Sequence, residues 1–250
     1  MTLYSSLYGT RLDRELGTDD ASILFTTARR KAAINEGQEQ FADLTECLLR
    51  RSTLTMTGGT AEYDLNSTTV IPGGDFSRWG KEQVQIRYTD AAGTITVAGG
   101  SDLEHRDVPW LDRFEPGWQH STVSSATGQQ MPRYTYERMD GGARYLGFSP
   151  TPSTGSSATM EAVIPYIARP TPMSSDTNEP FTVGGVVRAD LRIFHQALVH
   201  YAAAQLEKLR RDEQASAGQM QQFMGYVQRF AALMRKRGGE TISVARRYFR

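Results

Sequence analysis

Four histidines (His105, His120, His195, His200), one cysteine (Cys47) and an acidic run (Asp102, Glu104, Asp107, Asp112) are the residues whose types could carry chemistry. Their spacing argues against it. A metal site needs clustered ligands, and His195 and His200 stand five apart, so they do not share a helix face as an i,i+4 zinc pair would. A single cysteine excludes both an intramolecular disulfide and a cysteine-built zinc site. No G-x-S-x-G elbow is present, and no Gly-Gly pair is followed by Lys-Ser/Thr as in a phosphate-cradling loop. Two of the four acids could face each other as an acid–base pair. The plainer reading, a solubilising loop, is preferred. No catalytic residue, no metal site and no cofactor is expected.

Gly73-Gly74-Asp75-Phe76 carries the signature letters of diguanylate cyclases without the second acid, and its surroundings read as a loop between strands. The one concentration of charge is the C-terminus: Arg235, Lys236, Arg237, Gly238, Gly239, Ile242, Val244, Arg246, Arg247, Tyr248, Phe249 and Arg250. Such a tail could neutralise phosphates, or dock in an acidic groove with Tyr248 and Phe249 as anchors. Its apolar and aromatic residues favour a protein partner, because a phosphate binder has little use for them.

Across 250 residues Lys+Arg and Asp+Glu are 28 each, so no global field draws the chain to nucleic acid or acidic lipid. No N-terminal signal segment is visible, and no apolar run approaches the roughly 18 residues of a membrane span. A soluble chain in a reducing compartment, without membrane contact, is expected.

The elements that must position these residues fall in three blocks. Thr18-Asp19-Asp20 predicts the cap of a first helix, with Ile34, Phe41, Leu44 and Leu48 at helical spacing. Gly37 lies on that stripe, either because another backbone packs there or as a tolerated glycine costing about 1 kcal/mol. From Ser52 to Arg169 short β-branched and aromatic runs alternate with Gly-Gly, Asp-Gly-Gly and Thr-Gly-Gly turns. They predict roughly six to eight antiparallel strands. Trp110 and Trp118 lie in a less regular stretch and read as core or interface anchors. After a Pro/Ser/Thr-rich stretch, Val187, Leu191, Phe194, Leu198, Tyr201, Gln205 and Leu209 predict a second helix. Met220, Phe223, Val227, Phe230 and Met234 predict a third, antiparallel to it. The expected fold class is α+β. A helical bundle of three or more helices (1–51 and 181–237) carries an inserted antiparallel β-domain (52–170), a linker (171–180) and an extended C-terminal arm (238–250).

This order of features resembles the head-to-tail adaptor (connector) proteins of tailed bacteriophages. "AAINEGQEQF" (Ala32–Phe41) is similar to their first helix, and "RRSTLTMTGGTAEYDL" (Arg50–Leu65) to their first strand, Gly-Thr turn and Tyr-Asp-Leu strand. "GQQMPRYTY" (Gly128–Tyr136) resembles a Gly-x-Pro-x-x-Tyr segment with extra residues between Gly128 and Pro132. "YLGFSPTP" (Tyr145–Pro152) resembles a strand ending in Pro-x-Pro. "IPYIARPTPMSSDTNEPF" and "ALVHYAAAQL" are similar to the return strand, linker and Tyr-Ala helix. The likeness covers about residues 20–235 and departs between Pro72 and Gly100.

The resemblance implies a structural, non-enzymatic protein of the virion neck, assembled in the host cytoplasm. It implies a homo-oligomeric, dodecameric ring beneath the portal protein, with a tail or nozzle protein on its other face and DNA passing through the lumen unbound. The C-terminal segment, hinged at Gly238-Gly239, would be a portal-docking arm. Two alternatives remain open from the residues: another neck or tail component (a nozzle or tail-tube protein), or a nucleic-acid-binding accessory protein using the basic tail.

Overall fold

The computed structural model of the chain describes residues 3–17, 24–80, 82–89, 95–120, 132–152 and 159–238. The fold is α+β. The chain divides into two compact units, Met1–Leu48 with Arg169–Arg250, and Leu49–Ala168.

In the first unit the leading helix, α1 (Thr27–Thr45), starts later than the sequence suggests and ends earlier. Thr26 is its cap, its hydroxyl accepting from Arg29 N at 3.4 Å; Asp19 and Asp20 lie outside the described residues. Glu46 in the left-handed region (φ 53°) terminates it, and Leu49 already belongs to a strand. Ahead of α1 stand helical turns over Tyr4–Ser6, Leu7–Arg11 and Leu12–Leu16, which bury Tyr4, Leu7, Leu12 and Leu16. These were not anticipated, because the break at Gly9 (φ −93°, ψ −112°) interrupts any helical period.

The second predicted helix divides into a 3₁₀ turn at Ala189–Phe194 and α2 (His195–Arg210). It buries Leu191, Phe194, Leu198 and Tyr201 of the expected stripe, while Leu209 is exposed. Ala197, Val199, Ala202, Ala203, Ala204 and Leu206 are also buried, so α2 is apolar nearly all round, the mark of a helix enclosed by neighbours. Arg211 (φ 62°) ends it, and α3 (Glu213–Gly238) begins seven residues before the expected Met220. The α2–α3 contacts pair Ala204 with Ser216, Tyr201 with Phe223 and Phe194 with Phe230, so the two run antiparallel. Phe41 of α1 completes the core against Phe181, Phe194, Phe223 and Phe230, with centroids at 5.5–6.3 Å.

The stretch "NEGQ" in α1 has a physical reason. A Cβ on Gly37 would lie 3.1 Å from Cδ1 and 3.2 Å from Cβ of Tyr201, and 3.4 Å from Leu198 O. Close helix packing is therefore the reading that holds. The first and last residues of that stretch, Asn35 and Gln38, use their amides like backbone. Asn35 donates to Met173 O (3.1 Å) and accepts from Met173 N (2.9 Å). Gln38 donates to Thr171 O (3.2 Å) and accepts from Phe181 N (2.7 Å). The Pro/Ser/Thr-rich residues 171–180 are thereby strapped along α1, with Met173 and Glu179 buried.

The second unit holds nine strands among the described residues: β1 (Leu49–Met56), β2 (Glu62–Asp64), β3 (Phe76–Trp79), β4 (Gln85–Thr89), β5 (Ile95–Asp102), β6 (Glu104–His105), β7 (Tyr134–Asp140), β8 (Ala143–Ser149) and β9 (Thr159–Ala168). They form two sheets, β1-β9-β4-β5 with β3 also on β9, and β2-β8-β7-β6. All pairs are antiparallel except the short parallel β6–β7. β9 is buried on both faces from Ala162 to Ala168, hence its unbroken apolar run. Pro165 is tolerated there because its carbonyl, and so its missing N–H, faces the gap between β3 and β4. Gly80 N donates to that carbonyl at 3.3 Å.

In the other sheet β7 and β8 are joined through Gly141 (φ 56°) and Gly142 (φ 87°), a two-residue turn of the kind that demands glycine-like backbone. Tyr136 lies flat over its cross-strand partner Gly147, where a Cβ would be 2.0 Å from the ring. Trp118 packs edge-on against Tyr136 at 4.7 Å, and Leu111 closes this cluster. The stretch around Trp110 is more regular than its sequence suggests: Val108–Phe114 is helical, capped by Asp107, which accepts from Trp110 N at 3.1 Å.

Candidate assembly surface

α3 is the element that carries the chain toward the predicted arm. Asp212 starts it, its carboxylate accepting from Ala215 N at 2.9 Å. Ser216, Phe223, Val227, Phe230 and Ala231 are buried against the rest of the unit. His200 Nδ1 lies 2.7 Å from Gln219 Oε1, and Gln219 donates to Glu15 at 3.2 Å. The opposite side, with Ala217, Gly218, Gln221, Gln222, Gly225, Gln228, Arg229, Ala232 and Arg235, is exposed. Every charged residue between 214 and 238 is basic.

Of the predicted site residues, Arg235 is exposed on the last turns of α3, and Lys236, Arg237 and Gly238 complete its backbone. Gly239, Ile242, Val244, Arg246, Arg247, Tyr248, Phe249 and Arg250 lie outside the described residues. The exposed side of α3 itself was missed. Its signal is the seven-residue spacing of Gly218, Gly225 and Ala232, which the apolar stripe on the other side obscures.

Several of the chemistry-bearing residues have structural partners. Asp107 caps a helix, Asp112 accepts from Trp118 Nε1 at 2.8 Å, and Glu104 pairs with Arg106. His105 Nδ1 lies 3.4 Å from Thr135 Oγ1. Burial pushes the Cys47 thiol up to about 12, away from thiolate reactivity. His195 is 1% exposed, with neither ring nitrogen hydrogen-bonded, and burial depresses it to about 4. Asp75 of the Gly-Gly-Asp-Phe stretch accepts from Tyr166 Oη (3.0 Å) and Arg50 Nη1 (3.1 Å) after a 3₁₀ turn at Pro72–Gly74. Among the described residues no group of three or more His, Cys, Asp or Glu could hold a metal ion, and no helix is long and apolar enough to cross a membrane.

The described residues form a mixed α+β chain with antiparallel sheets. Residues 2–247 match the model of the family described as SU10 adaptor protein, and the chain belongs to that family. The likeness to phage head-to-tail adaptors seen in the sequence therefore holds at family level. No curated protein matches the chain.

Proposed function

We propose that this protein is the head-to-tail adaptor of a phage virion: a dodecameric ring beneath the portal protein that joins it to a tail or nozzle protein and lets DNA pass through its lumen. The family match over nearly the whole chain carries this reading. Supporting it, net charge is zero, so a ring of such subunits would not hold DNA by phosphate neutralisation. The basic segment formed by the last turn of α3 and the residues after it acts as the portal-docking arm, with Tyr248 and Phe249 as anchors and Arg235, Lys236, Arg237, Arg246, Arg247 and Arg250 as charge partners. Repetition around a ring lets each arm bind weakly while the whole attaches firmly. No chemical step is involved.

Truncation after Arg237 tests the reading. The shortened chain should keep its circular dichroism spectrum and melting temperature and fail to decorate purified portal rings in negative-stain images. Normal decoration would remove the arm from the mechanism. Immunogold label at the distal tail tip, not beside the capsid vertex, would assign the protein to the nozzle.

A further inference from the structure

Two helix faces of the first unit carry opposite charge and are exposed among the described residues, although Glu36 also accepts from Tyr201 Oη at 2.7 Å. On α1, every charged residue from 32 to 46 is acidic, and Glu36, Glu39 and Asp43 are exposed at i, i+3, i+7 spacing, which is one face. On α3, Arg229 and Arg235 are exposed and no acid occurs from 214 to 238. No ion pair to Glu39, Arg229 or Arg235 is present among the described residues.

The face on α3 is also shallow. Gly225 and Ala232 bracket Arg229 four residues before and three after, with Gly218 two turns earlier. A Cβ placed on Gly218 or Gly225 would meet nothing within 4 Å. Each such glycine costs a helix interior about 1 kcal/mol against alanine. Gly37 on α1 has a reason inside the chain, the ring of Tyr201; Gly218 and Gly225 have none among the described residues. Close approach by a second molecule supplies one.

The levels of the two faces match. α1 meets α2 at Gly37–Tyr201 and Phe41–Phe194, and α2 meets α3 at Tyr201–Phe223 and Phe194–Phe230. Both flanking helices therefore run antiparallel to α2 and parallel to each other. Phe41 touches both Phe223 and Phe230, which sets the stretch around Glu39 level with the stretch around Arg229. A rotation about a ring axis preserves height along that axis. Copies standing with their helices along it bring Glu39 of one level with Arg229 of the next.

We infer that the exposed face of α3 (Gly218, Gly225, Arg229, Ala232) is the seat for the acidic face of α1 (Glu36, Glu39, Asp43) of a second copy of this chain. The contact joins two different surfaces, so its repetition does not stop at a dimer and closes into a ring where the rotation between copies allows it. It rests on the ring reading above and adds to it which faces meet.

Charge reversal tests the contact in the full-length protein. Glu39→Lys makes both faces basic and Arg229→Glu makes both acidic. Each alone should need at least about tenfold more subunit to assemble, as read by native mass spectrometry with purified portal rings as templates. An equimolar mixture of the two variants should regain assembly, because alternating copies restore opposite charges at every interface. The double variant in one chain should regain it too. Gly225→Leu should fold as a monomer and fail to assemble, because its side chain fills the shallow seat. If both single variants assemble like the parent chain, the α3 face serves another partner and the proposal falls. If the parent chain itself forms no ring with or without portal, the ring reading falls and this contact with it.

Discussion

In the β-rich unit two buried phenols are treated alike. Tyr136 donates to Glu62 at 3.1 Å while Arg138 forks onto the same carboxylate at 3.0 and 2.6 Å. Tyr166 donates to Asp75, which Arg50 also binds. Each phenol sits in one of the two sheets, and burial and its carboxylate push each pKa above the ordinary tyrosine value. The helical unit does the opposite with His195, which is buried between Phe181 and the surrounding core with both ring nitrogens bare. The two phenols are stabilised by partners, whereas His195 has none and is simply kept neutral. The first solution fixes geometry; the second leaves the helical unit sensitive to acid.

The comparison breaks most severely where Tyr136 is seated. Its ring occupies the space of a Gly147 side chain and is held on the other side by Trp118 and at its hydroxyl by Glu62. Gly147→Ala must displace a 2%-exposed ring with nowhere to go. The expected loss is about 3 kcal/mol, the upper end of overpacking effects. Urea unfolding should show it, and Tyr136→Leu in the same chain should recover part of it by vacating the space.

His195 gives the next largest effect. Desolvation by burial lowers its folded pKa to about 4, opposed by Glu179 and assisted by Arg11 and Arg192. The unfolded histidine takes up its proton near pH 6.5, so between about pH 6.5 and pH 4 the unfolded chain binds more protons. Stability then falls as pH drops through that window, by about 3 kcal/mol in all. His195→Leu should flatten thermal denaturation against pH over this range and leave no loss at pH 7. An unchanged slope would mean that His195 finds a partner in solution.

How much of this was legible beforehand follows from the kind of signal each feature leaves. Phe41, Leu198, Phe223 and Phe230 announce themselves by period, and all four meet in one core. The turn at Asp140–Ala143 is written in Gly141 and Gly142. The helical turns before α1 are not, because Gly9 breaks the period after one turn, and the 3₁₀ turn before α2 displaces the stripe so that Leu209 ends outside. The strap over residues 171–180 reads as a linker by composition, since what holds it is two amides, Asn35 and Gln38, on a distant helix. For the arm the sequence remains the guide from Gly239 onward. The α3 face escapes reading because exposed glycines in a helix signal only when the interior shows no use for them.

Arg50 and Arg51 sharpen the comparison to a single peptide. They are adjacent on β1, of one residue type, and each pairs with a carboxylate: Arg50 with Asp75 at 3.1 Å, Arg51 with Glu82 at 2.7 Å. The partners differ. The Asp75 side chain is 9% exposed and that of Glu82 is 44% exposed. Removing Arg50 strands a carboxylate in a dry sheet with only Tyr166 to stabilise it, and Arg50→Ala should cost about 2 kcal/mol. Removing Arg51 returns Glu82 to water, and Arg51→Ala should change unfolding free energy by less than about 0.5 kcal/mol. Salt separates them as well: raising ionic strength should erase the small Arg51 effect and leave most of the Arg50 effect, because a buried pair is screened far less than an exposed one. Equal costs for the two variants would show that the partner's burial does not govern these side chains.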